Sequence, residues 1–83
     1  MVDIIIYSKK ECHLCEIAKE ELQAIRREFD FSFKEVDIEK DKLAFEKFKY
    51  LIPVVEVDGE IISTGMVNRK KLKDILKQKS QLQ

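Results

Sequence analysis

The chain has no tryptophan, one proline, two glycines, one histidine and two cysteines among its 83 residues. Two cysteines three positions apart cannot frame a disulfide-stapled secreted domain, which carries several cysteines at wider spacings. A single histidine, lying between those cysteines, leaves a four-ligand zinc site in one chain without enough donors, although a site shared by two chains stays open. No apolar run approaches the roughly 18 residues of a membrane span, and Met1-Val2-Asp3-Ile4 has no basic leader, so neither a membrane anchor nor a signal peptide is expected. Excess charge of either sign is also missing: sixteen basic and sixteen acidic side chains cancel. Nucleic acid, which needs a basic field, is therefore not an expected partner. The one local bias, six basic residues against Asp74 between Arg69 and Lys79, reads as a solvated helix face rather than a docking patch. There are no repeats, linkers or low-complexity segments.

What is present suits one small domain. A hydrophobic fraction of 45% is enough for one core, in a chain that buries about 60% of its unfolded surface. Ile4 to Tyr7 is a continuous apolar run, expected as a strand buried on both faces. Ser8 to Glu11 is polar and reads as a loop. From about His13 to Glu28, Leu14, Ile17, Ala18, Leu22, Ile25 and Phe29 recur at helical spacing on one side, with Glu16 early and Arg26 and Arg27 late to suit the dipole. Phe31, Phe33, Val36 and Ile38 continue as a second strand. Asp41 is the expected cap of a short helix through Phe48, whose apolar members are Leu43, Ala44, Phe45 and Phe48. Leu51 to Val57 reads as a third strand with the only proline near its start, where a missing N–H is tolerated. Asp58-Gly59 is a two-residue hairpin turn that requires positive φ at both positions. Glu60 to Thr64 pairs back, Gly65 ends the sheet, and Asn68 caps a last helix with Leu72, Ile75 and Leu76 inward. The expected order is βαβαββα: an α/β four-stranded mixed sheet with helices on both faces, its first two strands parallel through a right-handed crossover. The domain is expected over 1–79, with a frayed tail at 80–83.

The chemistry centres on Cys12-His13-Leu14-Cys15 at the start of the first helix. The positive end of a helix and nearby cations favour a thiolate, and a second cysteine one turn on can close a disulfide. Thiol–disulfide exchange is the expected chemistry, and a zinc or iron–sulfur module that uses the pair between subunits is the alternative. Lys9 and Lys10 would favour the Cys12 thiolate while Glu11 opposes them, so a moderate effect is expected. A protonated His13 would add to it.

Tyr7-Ser8-Lys9-Lys10-Glu11-Cys12-His13-Leu14-Cys15, then Ile52-Pro53, then Gly65 before the last helix, resemble the glutaredoxins, a small form of the thioredoxin fold, over nearly the whole chain. The resemblance implies that Cys12 attacks, that Cys15 resolves, and that Pro53 is a cis-proline beside the active site. It implies that Ile52 offers its backbone to a cysteinyl substrate and that Lys9 binds a glutathione carboxylate. The chain departs from the family where His13 and Leu14 stand for Pro and Tyr. Gly65-Met66-Val67-Asn68 likewise replaces a paired glycine followed by acidic residues. On this reading the substrate is a disulfide-bearing protein or small molecule. The electron donor is glutathione or a thioredoxin-reductase-like enzyme, and glutathione is a possible co-substrate held weakly. No metal, no cofactor, no membrane, a monomeric state and a cytoplasmic location complete the expectation.

Overall fold

The computed structural model describes residues 2–81. In chain order the elements are β1 (Val2–Ser8), α1 (His13–Ile25), β2 (Phe31–Asp37), a 3₁₀ turn (Ile38–Lys40), α2 (Lys42–Phe48), β3 (Val54–Val57), β4 (Glu60–Thr64) and α3 (Arg69–Gln81). This is the expected βαβαββα order. The sheet runs β2-β1-β3-β4, with β1 parallel to β2 and antiparallel pairing of β1 with β3 and β3 with β4. The alternation of a strand sends Val2, Ile4 and Ile6 to one face, where they meet Ala18, Leu22 and Ile25 of α1 and Leu72 and Leu76 of α3. On the other face Val54 packs with Ile38 and with Ala44 and Phe48 of α2. The helices therefore flank the sheet two to one. Among the described residues, no helix is long and apolar enough to cross a membrane.

Several boundaries and burials differ from expectation. β1 is not buried on both faces: Ile5 and Tyr7 are half-buried, because seven-residue α2 covers only one end of their face. α1 ends at Ile25, three residues early. There the chain tightens, with the Arg27 and Glu28 N–H groups donating to Ala24 and Ile25 three residues back, a common way for a helix to end. β3 begins at Val54 rather than Leu51, since Pro53 has no N–H to give the ladder. Leu14 and Ile17, expected on the inner side of α1, are exposed, and so are Leu43 and Phe45 of α2.

The capping and turn chemistry follows the sequence. Asp41 Oδ1 accepts the Ala44 N–H at 3.1 Å and Asn68 Oδ1 accepts the Lys71 N–H at 3.0 Å. Asp58 and Gly59 take φ of 50° and 85°. Half of the basic stripe on α3 has partners: Arg69 pairs with Glu21, Lys73 with Glu28 at 2.7 Å and Lys79 with Asp58 at 3.2 Å. These pairs tie α3 to α1, to the turn that follows it and to the hairpin. Leu82 and Gln83, part of the expected tail, lie outside the described residues.

Candidate active site

Three chain segments meet at one end of the sheet, and the strand register brings them there. β1 ends at Ser8 and leads into the turn before Cys12. Tyr7 pairs with Val54, so Pro53 lies beside that end of β1; Val54 pairs with Thr64, so Gly65 follows alongside. The Gly65 N–H then donates to both Leu51 O (3.0 Å) and Pro53 O (2.9 Å). One bifurcated backbone bond thus clamps the proline loop to the segment that enters α3. Gly65 has φ of 75°, a left-handed conformation in which a side chain is disfavoured. The Ile52–Pro53 bond is cis, Pro53 is buried, and Ile52 packs against the α2-side core.

Cys12 is the N-cap of α1. Its Sγ accepts the Cys15 N–H at 3.2 Å and its carbonyl accepts the Glu16 N–H at 3.1 Å. The two cysteines form a disulfide with Cα atoms 5.2 Å apart. Their exposures differ in a way that matters chemically: Cys12 is partly exposed, whereas Cys15 is fully buried. The turn that aims Cys12 passes through Glu11 at φ 57°, a conformation costing a non-glycine residue about 1–2 kcal/mol. A sulfur held at a helix N-terminus, receiving an N–H and reachable from solvent, is placed to carry negative charge and to react.

The structure gathers the expected residues unevenly. Cys12, Cys15, Ile52, Pro53 and Gly65 belong to the three converging segments. Lys9 and His13 are exposed beside them, and neither enters an ion pair among the described residues. Asn68 is engaged as the cap of α3, its side-chain oxygen already accepting a backbone N–H. No group of three or more metal-ligating side chains occurs among the described residues.

Sequence reasoning missed a polar network under the same loop. Ser8, the one buried polar or charged residue among the described residues, donates from Oγ to Glu35 Oε2 at 2.8 Å. That oxygen also lies 3.0 Å from Lys19 Nζ, which lies 2.9 Å from Glu16 Oε1. The Ser8 hydrogen bond, then the Lys19 ammonium, hold the Glu35 carboxyl below its ordinary range. The three segments also carry exposed apolar side chains: Leu14, Tyr50, Leu51 and Met66.

A family model described as "Glutaredoxin-like domain (DUF836)" matches residues 3–77. A glutaredoxin-like protein, the YDR286C homolog of Dictyostelium discoideum, is 34% identical over 77 residues, which cover 86% of this chain and 71% of that protein. Among solved structures, protein Ne2328 from Nitrosomonas europaea superposes with a TM-score of 0.80 at 16% identity, covering 90% of this chain and 91% of that one. A thioredoxin variant from Halobacterium salinarum gives 0.72 at 18% identity, over 93% and 73%. At such identities the structural likeness establishes the thioredoxin fold and nothing finer.

Proposed function

The chain belongs to the glutaredoxin-like domain family, and on that premise we propose that it is a dithiol–disulfide oxidoreductase. The observation that carries this reading is the asymmetry of the cysteine pair: Cys12 caps α1, partly exposed and hydrogen-bonded at sulfur, while Cys15 is enclosed one turn behind it. In the reduced protein, the Cys12 thiolate attacks one sulfur of a substrate disulfide. The substrate S–S bond breaks, a mixed disulfide forms, and the departing thiolate takes a proton from water. Cys15 loses its proton and attacks Cys12 Sγ, releasing the second substrate thiol. Two electrons have then passed to the substrate and the protein holds the Cys12–Cys15 disulfide. Sulfur itself carries the electrons, so these steps need neither metal nor organic cofactor. A thiol donor, glutathione or a reductase, restores the dithiol, and the reducing cytoplasm acting on a monomer is the setting that suits this cycle.

The substrate preference follows from the site's charges. Glutathione carries two carboxylates and one ammonium group. Lys9 is an exposed cation for a carboxylate, but Asn68 stands where a carboxylate would pair the ammonium, and its oxygen is occupied as a cap. A missing charge-assisted hydrogen bond costs about 1.5–3 kcal/mol, or roughly ten- to hundredfold in affinity. The protein is thus a general disulfide reductase with weak glutathione preference. The test compares reduction of a glutathionylated peptide, coupled to glutathione and glutathione reductase, with reduction of a protein disulfide coupled to thioredoxin reductase. Asn68→Asp keeps the cap and should accelerate only the first reaction, by about tenfold or more. Fast wild-type turnover of the glutathione adduct, unaffected by Asn68→Asp, would overturn the assignment of preference. No turnover of either substrate would overturn the enzyme itself.

A further inference from the structure

The network under the active-site loop has a geometry that bears on the cysteines. Ser8 closes β1, Glu35 lies on β2, and Glu16 and Lys19 occupy the first two turns of α1. Lys19 is four residues after Cys15 and seven after Cys12, about 6 and 10 Å along the helix axis. Its side chain leans toward the helix N-terminus, as helical side chains do. The Lys19 side chain is only 24% exposed, and its ammonium has two carboxylates within 3.0 Å. The network's own one positive and two negative charges sum to −1. Glu35 is the member that joins the helix to the sheet, and it is held ionised by Ser8 and Lys19. A cavity of about 320 Å³ beside the network is also lined by Lys9, Lys10, Lys40 and Asp37.

Resting on the oxidoreductase reading above, we propose that Glu35 is a positioning residue: by holding Lys19 against the sheet and compensating its charge, it sets the redox poise of the Cys12–Cys15 pair. The physical link is the thiolate. Reduction creates a negative sulfur at Cys12, so a negative charge nearby disfavours the reduced form and a positive one favours it. Removing the Glu35 charge takes the network from −1 to 0, which stabilises the thiolate and makes the disulfide more oxidising. Removing the Lys19 charge takes it to −2 and makes the disulfide more reducing. Glu35→Gln keeps an oxygen for the Ser8 hydroxyl, so it changes charge while preserving the partly buried hydrogen bond.

The test equilibrates full-length wild type, Glu35→Gln and Lys19→Gln with a glutathione redox buffer at pH 7 and low salt. The equilibrium read is protein disulfide plus two glutathione thiols against protein dithiol plus glutathione disulfide, from the fraction reduced. At a separation on the order of 10 Å through largely solvated surroundings, a unit charge corresponds to a two- to fourfold change in that constant. Glu35→Gln should shift it toward dithiol and Lys19→Gln toward disulfide, and both shifts should shrink at 1 M salt, where screening reaches about 3 Å. Shifts of the same sign in both variants, or a lowered Tm with an unmoved constant, would show that the network is only a structural strap and overturn the proposal. A wild-type pair that never interconverts with glutathione would instead overturn the oxidoreductase reading.

Discussion

Replacing Gly65 by alanine separates two things that the structure joins at that residue, conformational cost and active-site geometry. Gly65 has φ of 75°, and a Cβ built there meets nothing within 4 Å. The cost of Gly65→Ala is therefore the backbone cost of placing an L-residue in the left-handed region, about 1–2 kcal/mol. For a domain of this size each 1 kcal/mol lowers Tm by about 4–8 °C, so the fall should lie between roughly 4 and 16 °C. Gly59 provides a matched control, with φ of 85° and equally open space around its absent side chain. It lies in the β3–β4 turn, at the opposite end of β3 from the proline loop. Gly59→Ala should thus lower Tm by a similar amount. The two variants should differ in chemistry: the Gly65 N–H holds the Leu51 and Pro53 carbonyls, so displacing it should slow disulfide reduction. Small misplacements of reacting groups can cost on the order of a hundredfold, and a loss of about tenfold or more is expected. Thermal unfolding and a protein-disulfide reduction assay on both variants decide the matter. Equal rates in the two variants would refute the idea that this clamp shapes the site, and an unchanged Tm for Gly65→Ala would refute the assigned cost.

Other outcomes follow from burial and charge. Ile6, with no exposed surface among α1- and α3-side core residues, should lose about 2–5 kcal/mol on truncation to alanine. Leu43→Ala, at a side chain 70% exposed, should stay within about 0.5 kcal/mol of wild type in denaturant titration. Stability should also fall in acid. Glu35 and Asp58 titrate below their ordinary values in the fold, Glu35 chiefly through Ser8 and Asp58 chiefly through the Asp3 N–H. Their contribution is complete above the unfolded carboxylate range near pH 4 and is lost as pH falls through the lower folded values. Glu35→Gln should therefore flatten the acid limb of a Tm-against-pH curve, and an acid limb of unchanged steepness would contradict this.

Much of the architecture is legible because it is local. Asp41 and Asn68 announce two helix starts, Asp58-Gly59 demands its turn, and the Cys12/Cys15 spacing places two sulfurs one turn apart at a helix N-terminus. Helical periodicity finds Ala18, Leu22 and Ile25, but it also places Leu14 and Ile17 inside. Those two lie in the first turns of α1, near the end that carries Cys12, and both are exposed. In α2 the apolar members Leu43 and Phe45 stay exposed, since the helix has only seven residues and buries just Ala44 and Phe48. The Ser8–Glu35 hydrogen bond was out of reach altogether. It joins positions 27 apart and depends on the parallel register that sets Ile6 opposite Glu35 and Ser8 opposite Asp37, which no spacing rule within either strand encodes. Gly65 was legible as the end of the sheet, whereas its double hydrogen bond required the third dimension.

The central claim, that Cys12 attacks and Cys15 resolves, is tested most directly by trapping. Wild type, Cys12→Ser and Cys15→Ser, each reduced, are mixed with a glutathionylated peptide and with a protein disulfide, quenched in acid and weighed by mass spectrometry. Cys15→Ser should accumulate a covalent adduct through Cys12, Cys12→Ser should form none at a comparable rate, and wild type should end as the Cys12–Cys15 disulfide. Rapid adduct formation at Cys15 in the Cys12→Ser protein, with Cys15→Ser inert, would contradict the account.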